Sequence, residues 1–495
     1  TPSKTVTFDS AWRQLTATSA MGLTASQVWN DDDMILSATD AAKLMTTTIY
    51  DSEDRATDSY GPAPESCFGT DRLPLPSCAI VPAHTETAFD DSLEGLHVAF
   101  YSNPILSGSP KAFNFGLEGT GGALVKDWGA AAPAGLGVTD NWSLRATGLI
   151  TFPDAGVYNF RTVADDATQL WIDDILVIGD WAGENSHTSA ERDIPAVTAG
   201  QTKSIRLAYA DRTGDAELDL QWKLPGSAVW ATVPASAFSP DYGLANRTTV
   251  HDSAPASSGL SDAQVPDIVT SLQYEHPWLG AATSTTIDPD GLALTTAESY
   301  EAPGGSGYLR RLTRHLPGAV EAAGASAPAA SAGNSSVYYG DTETLAEAGF
   351  TADVCGVPLS TPQHGFMKTS TGAMPAVGSA VVTEFFYDLW GRTVGTKRSG
   401  DSDWSCNDFD DRGRATSSVL SAFGSSPSRT TTTTYGFVGD EMVVTTTDSA
   451  LSSVPNAEII STSDLLGRTV TYRDVWGTVT TPDYEAKTGR VMSVT

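Results

Sequence analysis

The chain has 495 residues, of which 40% are apolar and 9% aromatic, enough for buried cores in roughly two to four domains. Its 29 Lys and Arg stand against 60 Asp and Glu, a formal charge of −31. That balance repels a phosphate backbone and excludes nucleic acid as a partner, while it suits divalent cations. No apolar run approaches the ~20 residues that span a bilayer as a helix.

Alternating Thr, Val and Tyr stretches broken by Gly, Asp and Pro predict an all-β fold of many short strands. Helical signal is confined to residues 38–46 and 344–349. A repeat opens the chain. Phe8-Asp9, Trp29-Asn30 and Tyr50-Asp51 place an aromatic residue every 21 positions. The pattern returns in its cleanest form at Tyr387-Asp388-Leu389-Trp390-Gly391-Arg392, then at Phe409-Asp410-Asp411-Arg412-Gly413-Arg414, Ser463-Asp464-Leu465-Leu466-Gly467-Arg468 and Tyr484 to Arg490. Asp288 to Leu292, leading to Tyr300, reads as a degenerate copy. About 20 residues make two strands and two turns, with Gly supplying a turn of positive φ. The early copies carry Trp12, Asp33 and Asp54 where that glycine stands. One hairpin cannot bury its own apolar face, so successive copies must pair edge to edge.

These copies resemble the tyrosine–aspartate (YD) repeats of the Rhs and teneurin-like family over residues 1–89 and 239–495. The resemblance implies a spiral β-shell in a large secreted or surface-displayed bacterial protein. The chain opens in mid-repeat at Thr1 and stops in one at Thr495, so flanking repeats of a longer parent are expected partners.

Residues 90–238 lack the aromatic step and form a self-contained β pattern. Its landmarks run in order: Gly95 to Tyr101, Trp142 to Gly148, Phe152 to Phe160, Ala164 to Asp174, Trp181, Ile205 to Tyr209 and Ala216 to Trp222. This segment resembles the protective-antigen-fourteen (PA14) domain, a β-sandwich with many lectin members. The resemblance implies that Asp165 and Asp166, joined by a cis peptide, hold calcium, which takes sugar hydroxyls directly. Successive side chains of a strand point to opposite faces; a cis bond would bring both carboxylates to one ion that wants 6–8 oxygens. Further ligands are expected from the loop Asp211-Arg212-Thr213-Gly214-Asp215, namely Asp211, Asp215 and the carbonyls of Thr213 or Gly214. Trp181 or His187 would contact the sugar. Asp173-Asp174 reads as a hairpin turn, and Trp142, Trp171 and Trp222 as core.

The four cysteines form no CxxC and have no histidine cluster beside them, so we pair Cys67 with Cys78 and Cys355 with Cys406 as disulfides of an oxidising compartment. There is no HExxH, no G-x-S-x-G elbow and no P-loop, and no pair of acids stands out for glycoside hydrolysis. Residues 316–336, rich in Ala, Gly and Ser, read as a flexible loop. Two functions follow as expectations, neither enzymatic. One is a calcium-dependent glycan-binding module on a repeat scaffold. The other is a purely structural shell or stalk segment of an Rhs-type toxin-delivery protein, with a non-binding insert.

Overall fold

The computed structural model describes residues 4–78, 80–195, 197–251, 265–302, 309–317, 333–375, 377–454 and 457–495. It is all-β and divides into two compact bodies, Thr1–Thr295 and Thr296–Thr495.

In the first body the strands Thr5–Phe8, Gln14–Thr18, Thr24–Trp29, Ile35–Thr39, Leu44–Tyr50, Ala56–Pro64 and His84–Phe89 pair antiparallel, each with the next. His84–Phe89 then pairs not with its successor in sequence but with Ala245–His251, in a register running from Phe89↔Ala245 to His84↔His251. The sandwich is therefore inserted at the tip of a hairpin. The junction is held by side chains. Asp90 accepts hydrogen bonds from the amides of Gly243 (2.9 Å) and Leu244 (3.0 Å). The Asp91 amide donates to Asn246 (2.8 Å), which donates back to the Asp91 carbonyl (2.7 Å). The second body is a similar meander whose strands from Arg311–His315 to Val479–Thr480 pair in succession.

The repeat has a physical basis that one set of contacts supplies. Asp388 Oδ1 accepts the amides of Trp390 and Arg392, both at 2.9 Å, and its Oδ2 accepts Arg392 Nε at 2.6 Å. The same clasp recurs at Asp9–Arg13, Asp51–Arg55, Asp410–Arg414 and Asp464–Arg468. The turn residue before the arginine is left-handed in every copy, at φ 78° for Gly391, 79° for Gly413 and 76° for Gly467. Trp12 at 66° and Asp54 at 60° adopt the same conformation without being glycine, and so does Asp33 at 65°. A non-glycine residue there costs roughly 1–2 kcal/mol, which the three hydrogen bonds of the Asp–Arg clasp offset at Trp12 and Asp54; at Asp33 the turn is closed by Asn30 Oδ1, which accepts the amides of Asp32 and Met34. The next aromatic reaches back to the strand that follows the turn: Trp29 Nε1 donates to the Gln14 carbonyl (2.9 Å) and the Tyr50 hydroxyl to that of Ile35 (3.0 Å). Tyr484 does likewise to Thr469 (2.9 Å).

Both regions expected to be helical are otherwise. Residues 38–46 cross the hairpin between Ile35–Thr39 and Leu44–Tyr50, closed by Asp40, which accepts the amides of Ala42 and Leu44. Residues 344–349 form a single turn, with Ala348 N on Thr344 O; Gly349, at φ 100°, ends it, its amide on Ala346 O and that of Phe350 on Leu345 O. Buried Leu345 pins that turn onto Val357, Phe386 and Val394. Of the loop expected at 316–336, residues 318–332 lie outside the described residues, and Gly333–Tyr338 is a strand. The disulfides are Cys67–Cys78 and Cys355–Cys406, with Cα atoms 4.9 and 5.4 Å apart.

The insert is a two-sheet sandwich. One sheet runs Ile175–Asp180, Ala167–Ile172, Gln201–Asp211, Trp142–Phe152, His97–Tyr101, Ala112–Phe115; the other is built on Val125–Gly129, Ala216–Lys223 and Asn159–Asp165. Alternation decides what is buried. Leu144, Ala146, Leu170, Ile172, Leu207 and Tyr209 point inward to meet Phe160, Leu218, Leu220 and Trp222. Trp142 and Trp222 are core, as read from the sequence, but Trp171 is not: between two inward residues, it must face outward. Asp173 and Asp174, at φ 48° and 59°, make the hairpin turn.

Candidate functional site

The chain leaves one sheet at Asp165, which pairs with Glu217, and enters the other at Ala167, which pairs with Ala210. Asp165 and Asp166 are thus the crossing between sheets, and the peptide joining them is cis. The register Trp142↔Asp211 sets Asp211 at the same end of the sandwich, with Asp140 two residues before Trp142. Four carboxylates from three chain segments gather there.

Their electrostatics are unlike those of the repeat turns. Asp166 is buried, and its two oxygens accept the amides of Asn185 and Arg212, both at 2.7 Å. Asp211 is 1% exposed, and both of its carboxylate oxygens lack a hydrogen-bond partner, as does the buried Oδ1 of Asp165. Burial, then the charges of Asp166, Asp140 and Asp165, push Asp211 up to about 7. Burial and the neighbouring Asp166, with Asp215 and Glu217 beyond, raise Asp165 as well. Buried acceptors without donors are costly, and a hard cation is what such a set of oxygens accommodates. Among the described residues, no group of three or more His, Cys, Asp or Glu is already closed to metal-ligating spacing.

The other expected ligands lie in the loop between Gln201–Asp211 and Ala216–Lys223. Thr213, Gly214 and Asp215 are exposed, and the Gly214 amide donates to Asp140 at 3.0 Å. His187 has both ring nitrogens engaged, Nδ1 with the Asn185 carbonyl and Nε2 with Asp180, each at 2.8 Å. The Asn185 contact, acting against burial, and the Asp180 carboxylate raise its pKa. Trp181 is half-buried. Its carbonyl accepts Arg212 Nη2 at 2.6 Å, while Arg212 Nη1 reaches the Gly183 carbonyl at 2.6 Å. Asp140, Arg212 and Tyr209, whose hydroxyl donates to the Asp165 carbonyl, were not singled out in the sequence. Asp140 could have been found only through the strand register.

A sandwich with paired acidic residues at the sheet crossing is the class of domain that this geometry defines. Residues 92–229 match the family model of the PA14 domain. Over 96 residues the chain is 30% identical to the anti-sigma-I factor RsgI3 of Acetivibrio thermocellus, covering 19% of this chain and 15% of that protein. Among solved structures it is similar to an anti-sigma factor domain-containing protein from Clostridium clariflavum (27% identity, 30% of this chain, 48% of that one, TM-score 0.26). It is also similar to a PA14 sugar-binding domain from an RTX adhesin (18% identity, 30% of this chain, 98% of that one, TM-score 0.23). The chain spans about 15% of the length of the curated relative and about half of the first of these structures.

Proposed function

We propose that residues 90–238 bind a glycan through a calcium ion held by Asp165, Asp166 and Asp211, and that the repeats on either side display this module outside the cell. The observation that carries the reading is the set of buried oxygens on Asp165 and Asp211 that have no donor, on chain that crosses between sheets where the PA14 family places its paired aspartates. Calcium would supply the positive charge that these residues lack and offer the sugar hydroxyls open coordination positions. Asp165 and Asp211 hold it from two segments, Asp140 and Asp215 add negative charge, and the Thr213 and Gly214 carbonyls are further oxygens within the same loop. Trp181 flanks the site.

The repeat setting belongs to the same proposal. The aromatic step of 21 residues and the recurring Asp–Arg clasp support a YD-type repeat scaffold of a secreted bacterial protein, and two disulfides suit that compartment. A second reading, in which the insert braces the scaffold without binding, is favoured by Asp166, whose oxygens are already taken by two backbone amides.

Calorimetric titration of the full chain with calcium, followed by a monosaccharide array in calcium and in EDTA, separates the two. Saturable calcium binding that an Asp165→Ala, Asp166→Ala double variant loses, with sugar capture only in calcium, supports the first. No heat at millimolar calcium leaves the brace.

A further inference from the structure

The outward face of the sheet carries a second feature beside the acidic site, with Trp181 standing between the two. A cavity of about 360 Å³ is lined by Arg145, Gln169, Trp171, Trp181, Arg206 and Ala208. Its floor follows from register: Gln169 pairs with Ala208, Ala208 with Arg145, and Trp171 with Arg206. These outward positions on three neighbouring strands place two arginines, an amide and one indole on the floor of the hollow, and Trp181, Ile105 and Leu106 border it from loops. Ala208 lies three residues from Asp211, roughly 10 Å along an extended strand, so this hollow is separate from the carboxylates.

Acids outnumber bases by 60 to 29, and the arginines of the repeat turns are each clasped by an aspartate. Yet Arg145 and Arg206, among the described residues, make no ion pair and no side-chain hydrogen bond, and Arg206 Nε is shut off from solvent without an acceptor. The Arg206 guanidinium is held instead by the Trp171 ring, with its carbon 4.3 Å from the ring centroid. Stacking fixes the plane of the fork without consuming its donors. A half-buried guanidinium, oriented by an indole and without an ion-pair partner, is arranged to receive an anion.

We propose that this cavity is a calcium-independent subsite for an anionic sugar residue, carrying a carboxylate or a sulfate ester. Arg206 and Arg145 take the charged group, Gln169 offers an amide to ring hydroxyls, and the Trp181 indole gives the apolar wall on which the C–H face of a pyranose packs. The volume accommodates one or two sugar rings, and the indole wall favours a saccharide over an acidic peptide.

The test uses the full chain in EDTA, which removes any calcium-dependent binding, with glucuronate, glucose 6-sulfate and glucose as probes in saturation-transfer NMR and calorimetry. Glucuronate or the sulfate should bind at least tenfold more tightly than glucose; which of the two binds identifies the charged group. Arg206→Gln and Arg145→Gln should each lose tenfold or more with unchanged far-UV circular dichroism. If Arg206→Gln does not fold, Arg145→Gln on the neighbouring strand carries the test alone. Equal binding of glucose and glucuronate, parental affinity in the arginine variants, or equal competition by hexaglutamate would overturn the proposal.

Discussion

The guanidinium of Arg414 lies 4.1 Å from the centroid of the Tyr435 ring, and the Tyr435 hydroxyl donates to the carbonyl of Ala415, the next residue after that arginine, at 3.0 Å. One repeat thus holds the ring of the next by its face and its tip together. Arg392 over Phe409 (4.5 Å) and Arg468 over Tyr484 (4.9 Å) repeat the face contact. Tyr435→Phe should cost about 1 kcal/mol through the lost hydrogen bond. Arg414→Ala should cost more, since it also opens the turn. A double-mutant cycle by calorimetry checks this: the two changes should be less than additive.

The turn clasps predict an acid limit. Asp9, Asp410 and Asp464 are held below the usual carboxylate range, first by the amide of the arginine four residues on and then by its side chain. A lowered folded pKa gives stability that is present above the unfolded value of about 3.9 and is lost as pH falls through the lower folded one. The clasps' contribution to the melting temperature should therefore hold steady down to pH ~4 and fall away below it. An Asp410→Asn, Asp464→Asn variant should show a smaller drop in the same titration.

The acidic cluster predicts the opposite sign. Asp211 is pushed up to about 7, so the metal-free fold loses stability as pH rises from near 4 toward 7 and Asp211 ionises among like charges. Asp211→Asn should raise the melting temperature of the metal-free protein at pH 8 and abolish the rise that calcium gives the parent. Thermal shift with and without calcium reads both effects. A lower metal-free melting temperature in the variant would count against mutual repulsion.

Cys355–Cys406 closes a loop of 51 residues. Loop entropy gives such a crosslink about 4 kcal/mol. The paired Cys355→Ser, Cys406→Ser change should lower the second body's denaturation midpoint, whereas the same change at Cys67 and Cys78, only 11 residues apart, should cost less. Urea unfolding followed by tryptophan fluorescence makes the comparison.

Because Phe89 and Ala245 are paired neighbours, the sandwich should be removable. Replacing residues 91–243 with a two-residue turn should leave the scaffold strands His84–Phe89 and Ala245–His251 paired, and the excised segment should unfold cooperatively by itself. Hydrogen exchange across both strands checks the first expectation and calorimetry the second.

Much of the architecture was written locally. The Asp and Arg of each turn clasp one another four residues apart, and each aromatic reaches back only 15 or 20 residues, as from Tyr50 to Ile35 or Tyr435 to Ala415. Contacts of fixed, short separation leave a period in the sequence, so the repeat and the place where it is interrupted could be read directly. Asp165 and Asp166 were legible as adjacent residues in a strand pattern. The left-handed turn at Trp12 and Asp54 was not: the glycine is absent, and the clasp that offsets its absence is a matter of geometry. Nor was the outward Trp171, since an aromatic residue in an apolar run is buried or exposed according to which face its strand turns inward. Asp140 and Asp211 are 71 positions apart, and Arg145 and Arg206 are 61 apart. Only the pairing of Trp142–Phe152 with Gln201–Asp211 makes neighbours of each pair. Strand register is set by which residues the sandwich buries, a property of the packed sheets and of no local stretch of chain.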